Sequence, residues 1–158
     1  MASFDEFDLK ILSLIQRDAT MQLDAIAAAV GLSPSPCWRR IKRMEEEGVI
    51  TGRVALVDRK AVNVNVTVFA AIRTNEHSPS WLAEFSRIVS DIPEVVEFYR
   101  MAGQVDYLLK IVVPGIEAYD DVYRRLISKV TIHDVSSMFA MEEIKGTTAM
   151  PLDYVALK

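Results

Sequence analysis

The chain is poor in the residues on which most site chemistry is built. It has one cysteine, Cys37, and two histidines, His77 and His133, among 158 residues. A single thiol excludes an internal disulfide and fits a reducing compartment. On the apolar stripe of a helix Cys37 reads as a small core residue, the other reading being a redox sensor beside Arg40. Neither histidine has a second His, Cys or paired carboxylate at ligand spacing, so no metal is expected. The six glycines are dispersed and form no phosphate-cradling loop, and no nucleophile elbow is present. No apolar run reaches the roughly 18 residues that span a bilayer. The opening Met-Ala-Ser-Phe-Asp-Glu-Phe-Asp lacks the basic region of a signal peptide. The expectation is a soluble cytoplasmic protein with no membrane partner, no metal and no cofactor.

Positive charge is scarce overall, with a formal net charge of −4. Its distribution is uneven. Residues 1–60 carry nine cations and nine anions, and the remainder nine cations and thirteen anions. The acidity therefore belongs to the second half, and the first half is neutral with a local cationic cluster. About half of the residues are hydrophobic, enough for two small cores. We divide the chain into residues 1–60 and 61–158.

The cationic cluster lies in Gly31-Leu-Ser-Pro-Ser-Pro-Cys-Trp-Arg-Arg-Ile-Lys-Arg-Met-Glu-Glu-Glu-Gly48. Gly31 suits the end of a short helix because it accepts positive φ. Ser33 is placed to cap the next helix, and Pro34 suits its first position. At about 100° per residue, Cys37, Ile41 and Met44 form one apolar stripe. Ser35, Pro36, Arg39 and Arg43 lie opposite, with Lys42 beside them and Arg40 on a flank. Upstream, Phe7, Ile11, Leu14 and Ile15 mark one helix, and Leu23, Ile26, Ala27 and Val30 a second. Three helices joined by a tight turn make a helix-turn-helix, whose last helix enters a DNA major groove. The strand formers of 49–58, around Gly52 and Arg53, suggest a small wing. Ser33, Ser35, Pro36, Arg39, Arg40 and Arg43 are the expected DNA contacts, since the arginine fork matches guanine edges and phosphates. The competing reading is a solvated helix whose cations pair with nearby acids.

In the second half, strand patterns at 66–74, 94–102, 107–113 and within 133–147 alternate with helical patterns at 80–90 and 116–129. The order strand, helix, strand, strand, helix, strand is the ferredoxin-like α+β arrangement, with both helices on one sheet face. The other face is then free for dimerisation or a ligand. The apolar tail, 150–158, is expected to dock on this protomer or a neighbour. Gly103-Gln-Val-Asp-Tyr107 forms a tight turn whose N–H groups suit a carboxylate, with Asp106 offering an acceptor to an ammonium. A hairpin merely capped by Asp106 is the alternative.

These segments together resemble the Lrp/AsnC family of transcription regulators. The resemblance runs from about residue 4 to 148. It rests on Asp8 before an Ile/Leu pattern, 31–45, Glu47-Gly-Val-Ile-Thr-Gly52, Gly103-Gln-Val-Asp-Tyr-Leu-Leu109, 114–119 and Met141-Glu-Glu-Ile-Lys145. Trp38 is bulkier than that pattern leads one to expect. The resemblance implies a winged helix-turn-helix joined by a β linker to a ferredoxin-like effector domain. It also implies double-stranded DNA as partner, an amino-acid effector near the turn, and homodimers assembling further, commonly to octamers. Met101, Gly103, Gln104, Val105, Asp106 and Tyr107 become the expected effector contacts. The function expected is regulation, not catalysis. Two alternatives share the architecture or the helix: a tetrapyrrole decarboxylase of haem synthesis, and an architectural protein binding DNA with little sequence preference.

Overall fold

A carboxylate at the start of the first helix organises the N-terminal unit. In the computed structural model, which describes residues 3–128 and 130–157, helix α1 spans Glu6–Ile15, α2 Leu23–Val30 and α3 Pro34–Glu46. Asp5 caps α1 by accepting from the Asp8 N–H, and Asp8 accepts from the Asp5 N–H, both at 3.0 Å. This reciprocal box satisfies two helix-end donors at once. Asp8 is nonetheless almost wholly buried, because its two oxygens also receive arginines of α3.

Gly31 ends α2 in the left-handed region at φ 76°, where a Cβ would be strained, and so sets the tight turn into α3. Ser33 occupies the cap position of α3, but its side chain accepts no capping hydrogen bond. The apolar stripe is as the spacing predicts: Cys37, Ile41 and Met44 pack against Ile11, Ile26 and Val30. Burial raises the Cys37 thiol pKa, and the side chain is inaccessible, so it behaves as a core residue.

Two expectations for this part need correction. No strand forms between residues 47 and 65 among the described residues, so 49–58 is not a paired wing in the single chain. Val54, Leu56 and Val57 are exposed there and find no strand to pair with. The tail does not join the second half. The compact units are Met1–Leu56 with Lys145–Lys158, and Val57–Ile144. The reason is local: the Gln16 amide exchanges two hydrogen bonds with the backbone of Met150, at 2.9 and 3.0 Å. Leu152 packs on the helical core, and Leu157 forms an isolated bridge with Phe4.

The second unit contains β1 (Val66–Arg73), α4 (Pro79–Ser90), β2 (Val95–Arg100), β3 (Tyr107–Val113), α5 (Ile116–Ile127) and β4 (Asp134–Phe139). The sheet is antiparallel in the order β2-β3-β1-β4, the ferredoxin-like topology. Val68, Ala70 and Ile72 of β1 stand opposite Ile111, Leu109 and Tyr107 of β3 on the buried face. Phe85, Ile88, Val122 and Leu126 of the two helices cover them. The other face carries Phe69, Leu108, Met138 and the Glu97–Lys110 ion pair at 2.8 Å. Arg125 of α5 holds Glu94 at 2.5 Å, just before β2.

The Asp8 cluster predicts a stability effect. Replacing Asp8 by Ala leaves two arginines without their shared acceptor. The loss should be roughly 2–3 kcal/mol in urea unfolding, below the ~3–5 kcal/mol of fully buried pairs because both arginines keep some solvent. A change below about 0.5 kcal/mol would refute the clamp.

The second unit predicts a pH effect. Arg125 holds the Glu94 carboxyl below its ordinary pKa, and Lys110 with the Tyr99 hydroxyl does the same for Glu97. A depressed folded pKa stabilises above the unfolded value and is lost as pH falls through the folded one. The melting-temperature gap between wild type and Glu94→Gln should therefore be widest near neutrality and shrink once pH drops below about 4. A gap independent of pH would remove the ion pair as its cause.

Candidate nucleic-acid interface and effector turn

The α3 surface divides into two flanks with different partners. On one, the Arg40 Nη1 lies 2.7 Å from Asp5 Oδ2 and 2.9 Å from Asp8 Oδ1. The Arg43 Nη2 lies 2.6 Å from Asp8 Oδ2. The Arg40 guanidinium also lies over the Phe7 ring, 5.4 Å from its centroid. These four charges compensate one another; desolvation raises the Asp5 carboxyl, but hydrogen bonds from the Asp8 N–H and from Arg40 together hold it below its ordinary pKa. The expectation that Arg40 and Arg43 read DNA is qualified to this extent: one terminal nitrogen of each is held by a carboxylate within the unit, fixing α3 against α1.

The remaining face is open. Ser33, Ser35, Arg39 and Lys42 are exposed and Pro36 is half-buried. Arg39 has no ion-pair partner among the described residues, and Lys42 reaches Glu45 only at 3.6 Å. Arg53 sits 3.0 Å from Glu45. Trp38, which is not among the expected contacts, also stands on this side, 53% exposed. The angular position, between the stripe and Arg39, already placed it at an edge.

Trp38 lines an open pocket of about 210 Å³ together with Met21, Leu23, Ile26, Ile41, Lys42, Glu45 and Arg53. Among the described residues no cluster of three or more His, Cys, Asp and Glu side chains is disposed to hold a metal. Among the described residues no helix is long and apolar enough to cross a membrane.

The second candidate site is the turn between β2 and β3. Gly103 adopts φ 134°, a conformation L side chains resist. Met101, Gly103 and Gln104 are exposed, and Val105 and Asp106 half-buried. The Met101 N–H donates to the Asp106 carbonyl at 2.8 Å, and the Asp106 N–H donates to the Ile72 carbonyl at 2.9 Å. One carboxylate oxygen of Asp106 accepts from the Thr74 N–H at 2.9 Å, so this side chain caps the end of β1. The other oxygen has no hydrogen-bond partner among the described residues. Tyr107 is a correction: it is 3% exposed, and its ring packs against Trp81, Phe85 and Phe98 on the helix-covered side of the sheet. Alternation carried that information, since Tyr107 has the parity of Leu109, Ile111 and Val113.

The comparisons with known proteins agree with this architecture. Residues 4–51 match the model of a winged helix-turn-helix DNA-binding domain, and residues 67–150 that of the Lrp/AsnC ligand binding domain. The glutamate uptake regulatory protein of Zymomonas mobilis is 49% identical over 148 residues, covering 94% of this chain and 90% of that protein. An AsnC family transcriptional regulator of Agrobacterium tumefaciens, solved by crystallography, superposes with a TM-score of 0.94 at 59% identity, over 97% of this chain and all of that one. A transcriptional regulator of Neisseria meningitidis, solved as a complex with L-methionine, superposes with a TM-score of 0.92 at 31% identity, over 96% and 99%. With its DNA-binding helices, its ferredoxin-like sheet and these relatives, the chain belongs to the Lrp/AsnC family of transcription regulators.

Proposed function

We propose that the protein is a cytoplasmic, sequence-specific DNA-binding regulator whose affinity for operator DNA responds to a free α-amino acid. The observation that carries the reading is the divided surface of α3. A rigid ion cluster faces α1, and an open face presents Ser35, Arg39 and Lys42. Ser33, Ser35, Pro36 and Arg39 make the DNA contacts, Arg39 reading a guanine edge or a phosphate. Arg40 and Arg43 serve this interface by setting the angle of α3.

The open face of one copy holds only two cations, Arg39 and Lys42, so the phosphate contribution per copy is small. A homodimer, and assembly of dimers toward an octamer, adds the contacts of several copies on one duplex. The free sheet face, with Phe69, Leu108 and Met138, and the exposed segment around Val54 and Leu56 supply apolar surface for such assembly.

The effector lies against Met101, Gly103, Gln104, Val105 and Asp106. Backbone N–H groups at the turn take its carboxylate, and the unpaired Asp106 oxygen takes its ammonium. The methionine complex of the Neisseria regulator supports this ligand class. Regulation then requires the amino acid to bind one assembly better than another.

The test of the DNA reading uses a duplex selected from random sequence. Arg39→Ala should weaken binding by about 1–3 kcal/mol at matched salt and leave the unfolding curve unchanged. Undiminished affinity in a mobility-shift titration would refute it. The effector reading is tested by a thermal-shift screen of the twenty amino acids, since a ligand of the folded state raises its melting point. Asp106→Asn keeps an acceptor for the Thr74 N–H but loses the charge. It should abolish the shift given by the responsive amino acid while leaving DNA affinity intact, and an undiminished shift would exclude Asp106 as the ammonium partner.

A further inference from the structure

We infer that Trp38 is a specificity-determining residue of DNA recognition, its indole set against the C5-methyl group of a thymine in the major groove. The inference rests on the DNA-binding reading above and adds to it a residue of different chemistry.

Trp38 lies in the second turn of α3, adjacent to Arg39 and one turn after Ser35. The other large apolar residues of this helix are sequestered, Ile41 at 7% exposure and Met44 at 0%, whereas Trp38 keeps 53%. Trp38 instead lines, with Met21, Leu23, Ile26 and Ile41, a pocket open to solvent. An indole more than half exposed at the edge of an open pocket is not wedged as core. The other tryptophan of the chain offers a contrast. Trp81 is 9% exposed, stacks on Phe85 and donates its Nε1–H to the Thr131 carbonyl at 3.2 Å. Trp38 has neither a ring partner nor an acceptor for its Nε1–H among the described residues.

The major groove offers such a side chain one apolar target. Base edges there present hydrogen-bond donors and acceptors, and thymine alone adds a methyl group. Ser35, Arg39 and Lys42 supply the polar half of a recognition surface, which distinguishes purine edges. A flat apolar ring beside them supplies the discrimination that they lack, thymine against cytosine.

The experiment selects duplexes from random sequence with full-length wild type, Trp38→Ala, Trp38→Phe and Arg39→Ala. In the wild-type motif, each thymine is then replaced by deoxyuridine, which removes only the methyl. At one thymine per half-site the replacement should weaken wild-type binding about fourfold, the transfer free energy of one methyl group. Trp38→Ala should bind thymine and deoxyuridine duplexes alike and lose its preference at that position. Trp38→Phe, which retains an apolar ring, should keep most of the ratio. A Phe variant that loses the ratio as completely as Ala would assign the contact to the indole N–H and overturn the methyl reading. An Ala variant that selects the wild-type motif with the wild-type ratio would overturn the role of Trp38 altogether, while weak binding by Arg39→Ala in the same assay would leave the DNA reading standing. If wild type enriches no motif, both readings fall together.

Discussion

The Asp8 carboxylate is the constraint on which the N-terminal unit depends. It is buried, and a buried carboxylate is tolerated only when its charge and lone pairs are matched. Here the Asp5 N–H, the Arg40 guanidinium and the Arg43 guanidinium do so together. Two of those partners lie on α3, more than thirty residues away in sequence. The same atoms that start α1 therefore fix the rotation and tilt of α3 about the core. An apolar interface alone tolerates sliding, since hydrophobic contact is non-directional. Two charge-assisted hydrogen bonds to one carboxylate do not. The apolar stripe of Cys37, Ile41 and Met44 supplies the packing, and Asp8 supplies the orientation.

This division of labour has an electrostatic consequence. The cationic look of α3 overstates what it offers to an external partner. Four cations crowd residues 39–43, but two are neutralised by Asp5 and Asp8, and Lys42 lies near Glu45. Arg39 is the cation with no such partner among the described residues. The chain also passes twice between its compact units, once near residue 56 and again near residue 145. Within the second unit Arg59 fastens both crossings. It donates to Thr67 Oγ1 at 2.7 Å and the Val64 carbonyl at 3.2 Å, and it pairs with Glu143 at 3.3 Å. The segment entering β1 and the segment leaving β4 are thus held by one guanidinium.

What was legible in the sequence was local. The helical stripe of α3, the turn at Gly31 and the alternation of β3 all follow from spacing, and they suffice to give the helix-turn-helix and the ferredoxin-like order. What was not legible was long-range polar pairing. A helical wheel places Arg43 opposite the core, but a long side chain reaches sideways, and nothing in the wheel names Asp8 as its target. Asp106 accepts from the Thr74 N–H just beyond β1, thirty-two residues away, a partner that spacing does not name. The tail docks on its own protomer, as expected, but its apolar residues announce docking without saying where, and Gln16 ties it to the first unit instead of the second. Tyr107 was different, because parity already placed it among buried residues. The family turn motif drew it toward the ligand against that signal. The strand pair expected at 49–58 is absent for a reason that propensity omits: a strand needs a partner edge, and these residues have none within the single chain.

The smallness of the open face also bears on how a protein of this kind discriminates between DNA sequences. On the proposed reading, a copy presenting a serine, an arginine, a lysine and an indole distinguishes few base pairs, and each mismatch costs only about 1–3 kcal/mol. Added within one copy, more contacts would demand more cations, and those cations would raise nonspecific affinity for every duplex equally. Repetition avoids that exchange. When copies are joined, the free energies of the same few contacts add, so the discrimination ratio of one copy multiplies with itself while the charge per copy stays low. The net acidity of the second half works in the same direction, because it opposes adhesion to the duplex outside the recognition helix. A recognition surface thinned by its own ion cluster is therefore compatible with selective binding, provided the copies are held at a spacing that matches the helical repeat of DNA.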